Sequence, residues 1–266
     1  MQIVVLIKQV LDPEVPARAF RVNRELRVPD VPRAAQVMSI FDGNALETAL
    51  KLREAVGSGV KITALSMGEK SAENVLRKAL AVTADDAVLL ADPAFAPLHS
   101  VQKARVLAAG IRKLGSVDLV LAGRQAADWE AGQVGPMVAE ELGWPCVSFV
   151  SRIDRSGDSL HLRRELDNGY QIVRLSGPAI VTVTNADVNV LRFAKVRDVM
   201  MSARKPIITW NASALGLDPT DLGEPSVDLL DLFVPEQPRH AEMIEGETAR
   251  DRALGLARRL RELNAI

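Results

Sequence analysis

The sequence predicts an α/β fold: a doubly wound, mostly parallel sheet with a β-meander insertion, followed by a C-terminal arm and helix. Three observations carry this. Four short apolar runs of strand length, Ile3–Ile7, Lys61–Ser66, Asp86–Leu90 and Val117–Ala122, alternate with helical apolar stripes. The last run leads through a glycine-started polar loop into the start of a helix. Beyond Cys146 the pattern changes to short strands divided by the turn pairs Gly157-Asp158 and Asn168-Gly169.

Ile3–Ile7 is continuous β-branched residues and leucine, suited to a central strand, with Lys8 and Gln9 at its carboxyl end. The Pro-containing stretch Asp12–Pro32 shows no helix; residues 19–28 alternate around Asn23-Arg24-Glu25 as a small hairpin would. Asp42 is a candidate N-cap, with Phe41 placed to staple against the helix it starts. That helix carries Ala45, Leu46, Ala49, Leu50 and Leu52 and stops at Gly57-Ser58-Gly59. Lys61–Ser66 is the second strand, Met67-Gly68 lies at its carboxyl end, and Ser71 starts a helix to about Val82. Asp86–Leu90 is the third strand, and Pro97–Leu114 a helix with Val101, Ala104, Leu107, Ala108 and Ile111 on one face.

Val117–Ala122 reads as a strand buried on both faces, ended by Gly123. A polar loop follows, and Gly132–Pro136 starts a helix that runs to Leu142 and closes at Gly143. Ligands of open parallel sheets bind at the carboxyl ends of the strands. The helix start offers free N–H groups and a partial positive charge. Arg124, Gln125 and Gln133 add donors suited to phosphate or an adenine edge, while Asp128 and Glu130 can accept from ribose hydroxyls. The loop suits a nucleoside with few phosphates better than a bare polyphosphate. Neither GxGxxG nor GxxxxGK[ST] is present, so an ordinary solvated loop satisfies the same spacing.

The segment GRQAADWEAGQVGP closely resembles the nucleotide loop of the electron-transfer flavoprotein beta subunit, and the resemblance covers residues 1 to about 210. It implies an adenine-nucleotide alpha hydrolase-like sheet over residues 1–210, and leaves 211–266 as an arm and amphipathic helix that contact a partner subunit or their own domain. It further implies a nucleotide held by Leu6, Lys8, Ser39, Ile40, Phe41, Asp42, Met67, Gly123, Arg124, Gln125, Ala126, Ala127, Asp128, Gly132, Gln133, Val134 and Gly135. The implied ligand is AMP, or a second FAD in the same site as in the bifurcating branch. The redox FAD is shared with an alpha subunit. Ser39 and Ile40 replace the family's Asn-Pro, and the Ser-x-Phe-Asp form resembles the branch linked to nitrogen fixation and carnitine reduction. Residues 164–169 match the family's Arg-Glu-x-Asp/Glu-x-Gly hairpin. Residues 178–183, Pro-Ala-Ile-Val-Thr-Val, match the strand before its partner-recognition loop. Asn189-Val-Leu-Arg192 fits the next motif without its proline, and Phe193, Val196 and Met200 become the partner-docking anchors. The implied partners are the alpha subunit, flavin dehydrogenases and a membrane or soluble acceptor.

The sequence yields no catalytic constellation: His99, His161 and His240 lie far apart and lack metal-ligand spacing. The residues alone reach an adenine-nucleotide-binding α/β domain, and the resemblance implies an electron carrier that is not an enzyme. A net charge of −1 with both signs interspersed argues against nucleic-acid partners, and aromatics make up only 4%, too few for a stacking platform. With Cys146 the single cysteine, no disulfide framework can form within the chain. The apolar start, MQIVVLIKQV, is too short for a signal or membrane span. A soluble cytoplasmic protein is expected. The rival reading is an adenine-nucleotide sensor or hydrolase on the same sheet; the hydrolase calls for a Ser-Gly-Gly-x-Asp-Ser loop where Lys8-Gln9-Val10-Leu11 stands.

Overall fold

A computed structural model describes residues 1–32, 34–57, 59–223, 227–235 and 241–266. Ser58, part of the expected helix stop, and His240 lie outside the described residues. The chain divides into two units: Met1–Phe20 with Val31–Leu230, and Arg21–Asp30 with Asp231–Ile266.

The chain opens with β1 (Gln2–Leu6), β2 (Gln9–Leu11), the small pair β3 (Val22–Asn23) and β4 (Val28–Pro29), then β5 (Gln36–Met38). Helix α1 (Ile40–Val56), β6 (Lys61–Met67), α2 (Glu73–Ala81), β7 (Asp86–Leu90), α3 (Ser100–Leu114) and β8 (Leu119–Gly123) follow. After α4 (Val134–Leu142) come β9 (Cys146–Ser156), β10 (Ser159–Leu166), β11 (Gly169–Leu175) and β12 (Ala179–Val183). The last elements are α5 (Val196–Ser202), β13 (Ile208–Trp210), α6 (Ala212–Leu215) and α7 (Ala249–Glu262).

The main sheet has nine strands in the order β11-β10-β9-β12-β8-β1-β6-β7-β13. From β9 to β13 every neighbour is parallel, and β10 is antiparallel to both its neighbours. The doubly wound sheet and its meander are therefore as expected. The central strands are apolar on both faces because both are covered. Leu50 and Leu76, from α1 and α2, join one core; Ala104 and Val138, from α3 and α4, join the other. The chain runs outward through β1, β6 and β7, then returns to the other side of β1 for β8 and β12. The β1/β8 boundary is thus where the winding reverses, the position at which open α/β sheets bind ligands.

Several expectations are corrected. Helix α1 starts at Ile40 with Ser39 as N-cap, so Asp42 lies inside the first turn and caps nothing on its own helix. Helix α3 begins at Ser100 and not Pro97, because Pro93–Phe95 forms a separate 3-10 turn and His99 with Gln102 makes the capping box. β2 pairs antiparallel with β5, an addition beyond the simple βα alternation. The extended arm read over Leu215–Gln237 is not extended at its start. It folds into α6 and a 3-10 turn at Pro219–Leu222, where Leu222 is buried and its carbonyl accepts from Arg105 Nη1 at 2.9 Å.

Helix α1 is buried on nearly all sides over its first three turns, polar residues included. Asn44 Nδ2 donates to the Asn189 carbonyl at 2.8 Å, and Asn189 Nδ2 donates to the Ser151 carbonyl at 2.7 Å. The buried Glu47 carboxylate accepts from Arg192 Nη2 at 2.8 Å and from the Arg192 backbone N–H at 3.1 Å. Arg192 also pairs with Glu54. Arg192→Ala is expected to destabilise the protein by about 2 kcal/mol in a urea titration. It strands a buried carboxylate, though the partial exposure of Arg192 lets water reach Glu47 and keeps the cost below that of a sealed pair.

In the second unit β3 and β4 form the expected hairpin, and Arg24 pairs with Asp231 and lies 6.0 Å from the Phe233 ring. Helix α7 is closed by a Thr248–Asp251 capping box, and none of its residues is buried. Leu256 and Leu263 of this helix are exposed.

Candidate functional site

The β1/β8 boundary is fastened by one carboxylate. Asp42 Oδ2 accepts from the Lys8 N–H at 2.8 Å, and Oδ1 accepts from the Gly123 N–H at 3.1 Å. One side chain from the first turn of α1 thus joins the carboxyl ends of both strands. Burial pushes the Asp42 carboxyl up to about 7, against the pull of the two N–H donors and the Lys8 charge. The strand β8 must end in glycine: a Cβ at 123 would lie 2.6 Å from Asp42 Oδ1 and from Phe41 Cβ.

The loop from Arg124 to Gln133 arches over this point. Its start is tied to β12 by the Arg124 N–H, which donates to the Val183 carbonyl at 2.8 Å. Its middle is tied to Ser39, whose Oγ accepts from the Ala127 N–H at 3.3 Å. Lys8 Nζ meets Asp128 Oδ2 at 2.6 Å, and Asp128 Oδ1 accepts the Trp129 N–H at 2.9 Å. Glu130, at φ 52°, bends the chain so that its N–H reaches the Ala126 carbonyl at 3.1 Å. Trp129 is 61% exposed and faces solvent. Gly135, in the first turn of α4, lets that helix approach β12: a Cβ there would meet Thr182 Cγ2 at 2.7 Å. The Arg124 guanidinium stands 5.1 Å from the Phe41 ring centre, and its buried Nε has no hydrogen-bond partner among the described residues.

The structure therefore brings Lys8, Ser39, Phe41, Asp42, Gly123, Arg124, Ala127 and Asp128 together, with Gln125 and Ala126 in the same loop and Gly132, Gln133, Val134 and Gly135 at the start of α4. Leu6 and Met67 turn their side chains into the α3/α4 core, leaving only their backbone toward the crevice edge. Ile40 is exposed. Lys103 of α3 was not among the sequence-based candidates; partial burial above all, and Lys8 after it, push its ammonium below the ordinary lysine range, with Asp128 opposing. The signal available was topological: a crossover helix begins at the carboxyl edge of the sheet, so its first turn faces the same crevice.

Away from the crevice, the stretch from 193 to 202 contains helix α5, which the sequence reading took as loop. The helix is held from α2, where Arg77 Nη1 donates to the Ser202 carbonyl at 2.5 Å and the Lys205 carbonyl at 2.6 Å. Phe193 is 100%, Val196 79% and Met200 65% exposed, and Val199 and Met201 extend the patch. Among the described residues there is no group of three His, Cys, Asp or Glu that could hold a metal, and no helix long and apolar enough to cross a membrane.

The sequence profile of the electron transfer flavoprotein domain matches residues 32–215. The chain belongs to the electron transfer flavoprotein family. It is 39% identical to the electron transfer flavoprotein subunit beta of Clostridium acetobutylicum, covering 84% of this chain and 83% of that one. It is 33% identical to the caffeyl-CoA reductase-Etf complex subunit CarD of Acetobacterium woodii, over 100% of both chains. Protein FixA of Azotobacter vinelandii is 33% identical over 92% of this chain and 88% of its own. The likeness expected from GRQAADWEAGQVGP is thus confirmed, and the chain is an electron transfer flavoprotein subunit of the beta type. The crevice lies inside the matched region, apart from Leu6 of β1 and Lys8 just after it.

Proposed function

We propose that this beta-type subunit holds an adenine nucleotide, AMP, in the β1/β8 crevice as a structural ligand, and that it serves as an electron carrier without chemistry of its own. The observation that carries this is the crevice itself: a switch point with a helix start, two glycines that admit no Cβ, and a buried Arg124 Nε awaiting an acceptor. These residues fit a nucleotide. Ser39 and the loop N–H groups would meet its polar atoms, and Arg124 with Lys8 its phosphate or base.

In this reading the subunit pairs with an alpha subunit, helps hold that partner's FAD, and docks flavin dehydrogenases through Phe193, Val196 and Met200, passing electrons toward a membrane or soluble acceptor in the cytoplasm. The flavin, when bound, supplies the one- and two-electron chemistry. Domain limits of 1–210 and 211–266 go with it, and α7, none of whose residues is buried, would clasp the partner subunit.

A second FAD in the same crevice is favoured by one observation. Trp129 is 61% exposed, so its indole is not packed into the loop. The relative from Acetobacterium woodii, named as a subunit of a reductase-Etf complex, fits that alternative.

The deciding experiment is to denature the assembled protein and quantify the released nucleotides. One FAD and one AMP per heterodimer is the expected result. Two FAD without AMP would place a flavin in this crevice. A complex lacking FAD would favour an adenine-nucleotide sensor or hydrolase.

A further inference from the structure

The exposed patch from Phe193 to Met201 is tied to the rest of the protein by hydrogen bonds at its two ends. Phe193, Val196 and Met200 stand in solvent, while Ala194 packs against the core. Among the described residues, the hydrogen bonds made by residues 193–201 all stay within residues 193–205. What fixes the patch therefore lies just before it and just after it.

Before it, Asn44, Glu47, Lys51 and Glu54 recur every three or four residues and so share one face of α1. Asn44 bonds the Asn189 carbonyl, Lys51 the Val188 carbonyl, and Glu47 and Glu54 the Arg192 guanidinium. After it, Arg77 of α2 takes over. Carbonyls at a helix C-terminus have no partner within the helix. That of Ser202, the last residue of α5, accepts from the Lys205 N–H at 3.1 Å and from Arg77 Nη1 at 2.5 Å. Arg77 Nη1 also reaches the Lys205 carbonyl at 2.6 Å, and Lys205 Nζ donates to the Ala84 carbonyl at 2.9 Å. Ser202 itself is buried. Both gripping helices lie in the core that holds Leu50 and Leu76, on one face of the sheet, so one packed layer sets the two ends of the patch.

We infer that Arg77 is a positioning residue for partner docking: by fixing the C-terminal end of α5, opposite the Arg192 end, it presents Phe193, Val196 and Met200 to a flavin dehydrogenase in one pose. The inference rests on the docking reading above. A segment secured at one end alone would have to be ordered on binding, and the entropy lost would be subtracted from affinity. Arg is suited to the task because its donors diverge in a rigid plane, so one nitrogen can bond two carbonyls at a fixed angle.

The test is steady-state kinetics with the assembled complex as the varied substrate of a flavin dehydrogenase that reduces the wild type. Amide hydrogen exchange over residues 193–202 is read alongside. The variants are Arg77→Ala, Arg77→Lys and a patch variant carrying Val196→Ser with Met200→Ser. Arg77→Ala is expected to speed that exchange and to raise KM about tenfold, with kcat and nucleotide content unchanged. Arg77→Lys is expected to recover part of the loss, and the patch variant to raise KM directly. Wild-type KM in Arg77→Ala beside a raised KM in the patch variant would overturn the positioning role. So would unchanged exchange, or a fall in kcat and nucleotide content in step with KM, which would mark general loosening. Wild-type KM in the patch variant would instead overturn the docking reading itself.

Discussion

Gly123→Ala is expected to yield a protein that either fails to accumulate or loses at least about 3 kcal/mol of stability and retains no nucleotide. The new Cβ would sit 2.6 Å from Phe41 Cβ and Asp42 Oδ1, and 2.7 Å from the Phe41 carbonyl carbon. Two of these atoms belong to the rigid first turn of a buried helix, so the methyl group cannot be met by swinging a flexible side chain aside. Relief requires moving α1 away from β8, which parts the Asp42 bond to the Gly123 N–H and disturbs a close-packed core. Urea denaturation and the nucleotide content of the purified complex measure the two effects. Near-wild-type stability with full nucleotide would show that the contact is not a constraint. Gly57 makes a good control, since a Cβ there meets nothing within 4 Å, although its φ of 86° carries its own modest cost.

Asp42 sets the second large effect. Asp42→Ala removes the acceptor for two buried N–H groups and is expected to cost about 4 kcal/mol. Asp42→Asn is milder, since one amide oxygen still accepts while the NH2 opposes the other donor, and it isolates the charge. The folded carboxyl titrates near 7, above its unfolded value of about 4. The folded state therefore binds the proton more tightly. The stability this contributes is complete below about pH 4 and is lost as pH rises through about 7. Wild-type stability minus that of Asp42→Asn should fall across this window by an amount on the order of a few kcal/mol. Parallel pH profiles for the two proteins would refute the assignment.

Much of this architecture was legible because it is written in apolar runs. Strands buried on both faces carry uninterrupted Val, Ile and Leu, and β7 at Asp86–Leu90 was placed to the residue. The crevice was legible because a buried strand, a glycine and a helix start follow one another without interruption. What escaped depends on partners distant in sequence. Asp42 resembled a cap because an acidic residue in a first turn usually is one. Only the meeting of β1 with β8 provides the two N–H groups it accepts from instead. The β2–β5 pair joins two three-residue strands across a long loop, with no local signature on either side. Helix α5 was read as loop because Phe193–Met201 leaves its large apolar residues in solvent, so no buried stripe marks it.

Helix α1 acts as a ruler. Asp42 fixes one end of it to the crevice, and Asn44, Glu47 and Glu54 grip the segment that leads directly into the exposed patch at Phe193. At about 1.5 Å of rise per residue, the distance along its axis from Asp42 to the Arg192 clamp at Glu47 is about 7.5 Å, and to Glu54 about 18 Å. Because the first three turns of the helix are sealed in the core, the spacing from Asp42 to Glu47 does not stretch or flex. Whatever lies in the crevice and whatever settles on the patch are therefore held at a separation counted in helical turns, and insertions tolerated in the surface loops cannot retune it.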